Sequence, residues 1–246
     1  RSPNCDARPE GAEVTLLVLH GISLPPGEFG GDGIVRLFTN RLDASRHPYY
    51  ATIAALRVSA HFLVRRDGAL VQFVSCNDRA WHAGVSSWHG ETDINSASIG
   101  IEIQNPGHNG GYPDFPAGQM KAVTALCKDI IARHGIAGER VLAHSDVAPG
   151  RKIDPGEKFD WPGLHRAGVG HWVEPMPVNP DVRGFSGRKQ GPQIFEAQEL
   201  LARYGYGIEA TGIFSERMKI VLSAFQLHFR PARVHRRKGP FPSANA

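Results

Sequence analysis

The chain has 246 residues, of which 41% are hydrophobic and 21% are charged. This composition is typical of a globular protein with one large domain, or with a large and a small one. No stretch approaches the roughly 20 apolar residues of a membrane-spanning helix, so no transmembrane segment is expected. The first residues contain no apolar core of a signal peptide, but a leader can be removed by processing, so the N-terminus does not indicate a compartment.

The charge and the cysteines exclude two further classes. The net charge is +4, whereas a nucleic-acid-binding protein needs a denser basic face with interleaved aromatic residues, so no nucleic-acid partner is expected. The cysteines Cys5, Cys76 and Cys127 are odd in number and widely spaced. This spacing argues against a disulfide framework and against a thiolate zinc cluster, and it predicts free thiols.

The first half of the chain reads as strands and a hairpin. Residues 14–20 are almost continuously apolar and end in His20, as expected for a central strand covered on both faces. A glycine- and proline-containing loop then precedes a predicted helix over residues 34–40. Residues 61–65 and 69–74 flank the turn signal Asp67-Gly68, which predicts a hairpin.

The next segments complete a mixed α/β domain. In residues 98–103 isoleucine alternates with other residues, so the isoleucines face the core while Gly100 and Glu102 point to the opposite, open face. An amphipathic helix is predicted over 117–134, and a short buried strand over 141–143. The predicted fold class is therefore α/β, with a mixed central β-sheet flanked by α-helices and a small α-helical C-terminal module.

The domain organisation follows from composition. Residues 1–175 form the predicted mixed α/β domain, and a proline- and glycine-rich linker spans 176–191. A helical module, expected to be incomplete, spans 192–232. Residues 233–246 form a basic tail without apolar periodicity.

Five polar residues suggest a metal site. His20, Glu102 and His144 each stand at the end or on the open face of an apolar strand, with His144 expected where strand gives way to loop. Lys152 and Asp154 follow two residues apart, so an extended loop presents both on one side. Taken singly, such residues are more often surface groups. Together, two histidines and a carboxylate match a catalytic zinc site, which keeps its fourth position open for water.

At these residues the chain resembles the zinc-dependent N-acetylmuramoyl-L-alanine amidases of the AmpD and AmiD type. The resemblance covers roughly residues 2–175. The sequence blocks that carry it are Leu17-Val18-Leu19-His20, Arg57-Val58-Ser59-Ala60-His61, Trp81-His82-Ala83-Gly84, Ser98-Ile99-Gly100-Ile101-Glu102, His144-Ser145-Asp146-Val147-Ala148-Pro149 and Arg151-Lys152 with Asp154-Pro155-Gly156.

The resemblance implies a role for each residue of the set. His20, His144 and Asp154 would bind one Zn²⁺ per catalytic domain, Glu102 would be the general base, and Lys152 would stabilise the oxyanion. The substrate would be the amide between the lactyl group of N-acetylmuramic acid and L-alanine, in peptidoglycan or in anhydro-muropeptides. The alternative is a non-catalytic peptidoglycan receptor of the same fold, which would have lost a zinc ligand.

Other residues are predicted to bind substrate. Trp81 and His82 line the groove in this interpretation, although a packed aromatic ring and a buried, hydrogen-bonded imidazole explain them equally well. Arg57 contacts a peptide carboxylate or pairs with a surface acid. Ala83 and Asn95 complete the predicted substrate-binding set.

Some features leave the branch of the family open. Gly21 and Asp93 replace an asparagine and an arginine of the cytoplasmic recycling branch, so stem-peptide specificity is open. Residues 195–226 resemble a small peptidoglycan-binding module, which favours the periplasm or cell envelope over the cytoplasm. A simple packing hairpin of two helices is the other interpretation of this region. A monomer is expected.

Overall fold

The structure is a computed structural model, and it describes residues 1–28, 30–177 and 189–234. The strands are β1 (Cys5–Ala7), β2 (Leu16–Ile22), β3 (Phe62–Val64), β4 (Leu70–Gln72), β5 (Asp78–Ala80), β6 (Ser98–Gln104) and β7 (Val141–Ala143). The helices are α1 (Gly33–Phe38), α2 (Pro48–Ile53), α3 (Ile94–Ala97), α4 (Ala117–His134), α5 (His144–Val147), α6 (Trp161–Arg166), α7 (Pro192–Tyr204), α8 (Glu216–Phe229) and α9 (Pro231–Val234).

A mixed sheet forms the centre of the molecule, as predicted. In the described part of the chain its order is β4-β3-β6-β2-β7. The strands β3, β6, β2 and β7 are parallel, and β4 is antiparallel to β3 through the predicted hairpin. Strands β1 and β5 form a separate antiparallel pair. The carboxyl ends of β2, β6 and β7 therefore meet at one edge of the sheet, where functional groups of parallel sheets usually lie.

Helix α4 covers one face of the sheet and has the bounds predicted from its periodicity. Leu17 and Leu19 of β2 pack in one buried cluster with Val123, Cys127 and Ile130 of this helix. The helix ends at Gly135, whose φ of 65° is the left-handed conformation that glycine adopts without strain.

The C-terminal helices cover the other face. Leu16 and Val18, which alternate with the residues above, lie in a second buried cluster with Leu201 of α7 and with Met218 and Val221 of α8. Residues 190–234 thus contribute to the core of the molecule instead of extending away from it. Most of the predicted linker and the basic tail lie outside the described residues, and the predicted domain boundaries stay predictions.

Three local expectations differ from the structure. Strand β2 continues past His20 to Ile22 because its last residues pair with the end of β6. His144 begins a short helix directly after β7, where a loop was expected. A short helix begins at Pro231, where the sequence predicted none. Proline suits the first turn of a helix because its missing N–H would have no partner there.

No helix in the described part of the chain is long and apolar enough to cross a membrane.

Candidate metal centre and active site

The pairing of two parallel strands brings His20 and Glu102 together. His20 lies opposite Glu102 in the β2–β6 register. Register partners of neighbouring strands point to the same side of a sheet, so both side chains leave the same face near its carboxyl edge. Both are buried, with His20 1% and Glu102 9% exposed. The open face expected for Glu102 is therefore covered, which corrects that prediction.

His144 and Asp154 complete the cluster from the neighbouring segment. His144 is the first residue of α5, and the backbone N–H of Ser145 donates to the carbonyl of Asp154. The Nδ1 atoms of His20 and His144 are 2.9 Å apart. Oδ2 of Asp154 lies 3.0 Å from Nδ1 of His144 and 3.8 Å from Nδ1 of His20. It also accepts a hydrogen bond from the N–H of Gly21. Three possible ligand atoms, from the residues that the sequence indicated for a metal site, thus lie within 4.8 Å of one another.

A chain of hydrogen bonds behind His20 sets which of its nitrogens faces the cluster. The hydroxyl of Ser98 donates to the carbonyl of Ile94, so its oxygen accepts from Nε2 of His82 at 3.2 Å. Nδ1 of His82 is then an acceptor, and Nε2–H of His20 donates to it at 3.0 Å. This assignment leaves the lone pair of His20 Nδ1 facing Asp154. Metal-binding histidines are commonly oriented by such a bond through their other nitrogen.

His144 is oriented in the same way. Its Nε2 lies 3.4 Å from the carbonyl oxygen of Ala83, which accepts the proton of this nitrogen. Both histidines therefore present Nδ1 lone pairs to the cluster.

Burial and charge set the protonation states. Burial lowers the pKa of His20 well below its ordinary value, which keeps the ring neutral. Burial opposes ionisation of Asp154, but a proton on Nδ1 of His144, whose place a metal ion would take, lowers the pKa of this carboxyl well below the usual range, with further effects of His20 and Lys152. Burial, reinforced by the charge of Asp154 and opposed by Lys152, raises the pKa of Glu102 to about 8. One carboxyl is thus a fixed anion and the other can hold a proton near neutral pH.

The donor set fits zinc. Two imidazole nitrogens and one carboxylate oxygen are ligands that Zn²⁺ takes in catalytic sites, where three protein ligands leave a fourth position open. Oε2 of Glu102 is buried and has no hydrogen-bond partner among the residues that the structure describes. A buried polar atom of this kind requires a partner, and a reacting water molecule at the open position would be one.

Two predicted substrate-binding residues, His82 and Ala83, are buried next to the candidate ligands and do not line an exposed groove. His82 is 9% exposed and Ala83 is fully buried. Oδ1 of Asn95 accepts the backbone N–H groups of both. His82 is therefore the buried, hydrogen-bonded imidazole of the alternative interpretation. The ring of His82 occupies the space beside Gly100, since a Cβ on Gly100 would lie 2.5 Å from that ring.

Arg57 and Trp81 of the predicted substrate-binding set lie further out than His82, Ala83 and Asn95. Arg57 is exposed, and its Nη1 donates to the carbonyl of Ala55 in its own turn. Trp81 is half-buried, and its Nε1 donates to Asp6 at 3.1 Å. Substrate binding by these residues stays a prediction.

The sequence did not point to Ser98 or Tyr112. The hydroxyl of Tyr112 donates to the carbonyl of Pro155 at 2.6 Å and accepts the N–H of Lys158. It thereby holds the loop that carries Asp154. No local pattern marks such a residue, because its partners are more than 40 residues away along the chain.

Comparison with known families shows to which family the chain belongs. The sequence profile of the N-acetylmuramoyl-L-alanine amidases matches residues 10–157, which include the three candidate ligand residues and Glu102. The chain belongs to this family. Its members are hydrolases that act on an amide bond. A second profile, that of a peptidoglycan binding domain, matches residues 190–233.

Individual relatives agree with both matches. The chain is 48% identical over 161 residues to the 1,6-anhydro-N-acetylmuramyl-L-alanine amidase AmpD of Salmonella typhimurium, covering 65% of this chain and 84% of that protein. It is 40% identical over 195 residues to the N-acetylmuramoyl-L-alanine amidase AmiD of Escherichia coli, covering 74% of this chain and 69% of that protein.

Solved structures extend the likeness through the C-terminal helices. The structure of Escherichia coli AmiD in complex with a substrate matches with a TM-score of 0.63 at 34% identity. It covers 91% of this chain and 84% of the AmiD chain. AmpDh3 from Pseudomonas aeruginosa matches with a TM-score of 0.68 at 31% identity, covering 91% and 86%.

Proposed function

We propose that the amidase is zinc-dependent and hydrolyses the amide between the lactyl group of N-acetylmuramic acid and L-alanine. The observation that carries this proposal is the convergence of His20, His144 and Asp154 beside the buried carboxyl of Glu102. The relatives support the substrate class. AmiD was solved with anhydro-N-acetylmuramic acid-L-Ala-D-gamma-Glu-L-Lys, which contains this amide.

Each residue of the site has its own role in the reaction. Zinc, when bound by His20, His144 and Asp154, supplies a Lewis acid that makes water nucleophilic near neutral pH. Glu102 takes the proton of the attacking water, since its raised pKa suits a group that must accept a proton. The same carboxyl then returns the proton to the leaving amine of L-alanine. The charge of Lys152 acts on both carboxyls, and its ammonium stabilises the oxyanion that develops on the substrate carbonyl.

The natural substrate is derived from peptidoglycan. The peptidoglycan binding domain profile over residues 190–233 supports action on the polymer, and with it a location in the periplasm or cell envelope. Soluble anhydro-muropeptides, the substrate class named for AmpD, are the other source of the same amide. A cytoplasmic recycling enzyme is the alternative that this second source implies.

Two positions bear on stem-peptide recognition. Asp93 caps helix α3 by accepting the N–H of Ser96, and its carboxylate pairs with Arg79 at 3.3 Å. The N–H of Gly21 holds Asp154. Both residues are therefore engaged in the structure of the site region. Neither residue offers a cationic side chain, so a stem-peptide carboxylate would have to be bound by other residues.

Release of free stem peptide tests the proposal. The full chain is incubated with purified insoluble peptidoglycan and, separately, with a soluble anhydro-muropeptide, with and without a chelator and with zinc added back. Zinc-dependent release from the polymer supports an envelope amidase. Release from the soluble substrate alone supports a recycling enzyme. No release from either substrate by zinc-loaded protein contradicts the catalytic role and leaves the receptor interpretation.

A further inference from the structure

One buried carboxylate, that of Asp146, connects the C-terminal region with the candidate metal centre. Asp146 lies two residues after the ligand His144, and its side chain is completely buried. Its Oδ1 accepts the hydroxyl of Tyr206 at 2.6 Å. Its Oδ2 lies 2.6 Å from Nδ1 of His228 and accepts the N–H of Ala143 at 2.8 Å. Two of these three donors come from the C-terminal region.

The two donors are themselves firmly placed. The ring of His228 stacks on Trp161 with centroids 3.7 Å apart, and on Phe229 at 4.0 Å. Tyr206 belongs to the buried cluster that also contains Trp88 of the catalytic region. Neither donor can follow a displaced carboxylate without disturbing this packing, so both fix its position.

The position of Asp146 bears directly on the metal ligand. Helix α5 contains only residues His144–Val147, so the ligand and the carboxylate share a single helical turn. The hydrogen bond between Asp146 and Ala143 also ties the start of this turn to strand β7. A buried carboxylate that loses donors must find others or reach water, and the turn would move with it. Zinc–nitrogen distances tolerate little variation around about 2.0–2.1 Å.

We propose that Tyr206 and His228 are positioning residues of the zinc site, acting through Asp146 on His144. The C-terminal region then has two roles, contact with the polymer and support of the metal ligand. This inference rests on the proposed zinc site. It predicts that changes in the C-terminal region alter how tightly zinc is held.

Point variants of the full chain test the inference. Tyr206→Phe removes one donor and His228→Leu removes the other, whereas His228→Asn keeps an N–H donor near the place of Nδ1. Tyr204→Phe is the matched control, because its hydroxyl pairs with His171 in the same region and not with Asp146. Zinc affinity is measured by competition with a chromogenic chelator. The visible spectrum of the cobalt(II)-substituted protein reports ligand geometry, and circular dichroism of the metal-free protein confirms folding.

We expect Tyr206→Phe and His228→Leu each to weaken zinc binding by about tenfold or more and to change the cobalt spectrum. His228→Asn should restore most of the affinity, and Tyr204→Phe should match the wild type. If the wild type binds zinc but the zinc affinities of Tyr206→Phe and His228→Leu equal that of Tyr204→Phe, the proposed role of Tyr206 and His228 is wrong. The proposed function then still stands. If the wild type binds no zinc, both are wrong. Should His228→Leu not fold, Tyr206→Phe decides the outcome.

Discussion

His20 and His82 are joined by a hydrogen bond of 3.0 Å between Nε2 of the first ring and Nδ1 of the second. The bond connects a predicted metal ligand to a buried ring that itself rests on Ser98. It fixes the tautomer of His20, because a ring that donates through Nε2 offers a lone pair at Nδ1. The geometry of the candidate metal centre therefore depends on residues that supply no candidate ligand.

Replacement of His82 should weaken metal binding. His82→Phe keeps a ring of similar size but removes the acceptor for His20 Nε2–H. We expect zinc affinity to fall by about 10- to 100-fold, the usual cost of losing such a partner. Competition with a chelator measures it. Replacement of the exposed ring of His165 by phenylalanine is the control and should leave the affinity unchanged. Equal affinities for both variants would show that His20 needs no fixed partner.

A methyl group at Gly100 should disturb the same ring. An ideal Cβ there would lie 2.5 Å from Cγ and 2.6 Å from Nδ1 of His82. We expect Gly100→Ala to lower the free energy of unfolding by about 1–3 kcal/mol, as in other overpacked cores. Urea unfolding of the zinc-free protein measures the change.

Gly118→Ala is the matched control for this experiment. Gly118 lies in helix α4, and a Cβ there would meet nothing within 4 Å. Alanine in a helix is more favourable than glycine by about 0.5–1 kcal/mol, so this variant should be equally or more stable than the wild type. A similar loss in both variants would mean that the effect of Gly100→Ala does not come from His82.

Substitutions at the site should separate metal binding from chemistry. Glu102→Gln should retain zinc but lower kcat/KM by about 10²- to 10⁴-fold, because the amide cannot accept the proton. Asp154→Ala should instead lose zinc, since one of three ligands is gone. Zinc content by atomic absorption and peptide release by chromatography distinguish the two. Loss of zinc from Glu102→Gln would indicate that this carboxyl is a ligand and not a base.

Lys152→Ala should slow the reaction with zinc in place. Removal of one group that stabilises a transition-state charge costs about 10²- to 10³-fold in kcat. Steady-state kinetics on a soluble muropeptide, together with zinc content, measure this. An effect confined to KM would assign Lys152 to substrate binding instead of oxyanion stabilisation.

The stability of the protein should fall in mild acid because of His61. Burial lowers the pKa of His61 to about 4, against an ordinary value of 6.5. Nδ1 of this ring accepts the N–H of Gly100, which requires the unprotonated form. The unfolded chain binds the proton first as pH falls. The stabilising contribution is therefore complete above about pH 6.5 and is lost progressively between about 6.5 and 4.

The loss in the free energy of unfolding that His61 causes is at most about 3 kcal/mol. Urea unfolding of the zinc-free protein at pH 7 and pH 5 measures it, with His61→Gln as the comparison. The variant should lose less stability between the two pH values than the wild type. His20 and His82 contribute in both proteins, so only the difference between them reports His61. An identical pH dependence would contradict the assignment.

The sequence by itself determined the fold class and the candidate ligands. The bounds of α4 follow from its apolar periodicity, and the strand over residues 98–103 follows from its alternation, because both patterns are local properties of the chain. The placement of His20 and Glu102 at one sheet edge is not such a local property, because it depends on β2 and β6 becoming parallel neighbours. The ligand set came from residue type and spacing in motifs that resemble a known family.

Only the tertiary structure decided what lies behind those ligands. His82 meets His20 across 62 residues of sequence, and Asp146 meets Tyr206 and His228 across 60 and 82 residues. No periodicity encodes such partners, since each pair depends on how several elements pack together. The sequence therefore indicated a helical module that follows a linker. Only the packing of the folded chain shows that the helices of this module cover the second face of the sheet. The physical reason is that β2 exposes apolar side chains on both faces, and α4 can cover only one of them.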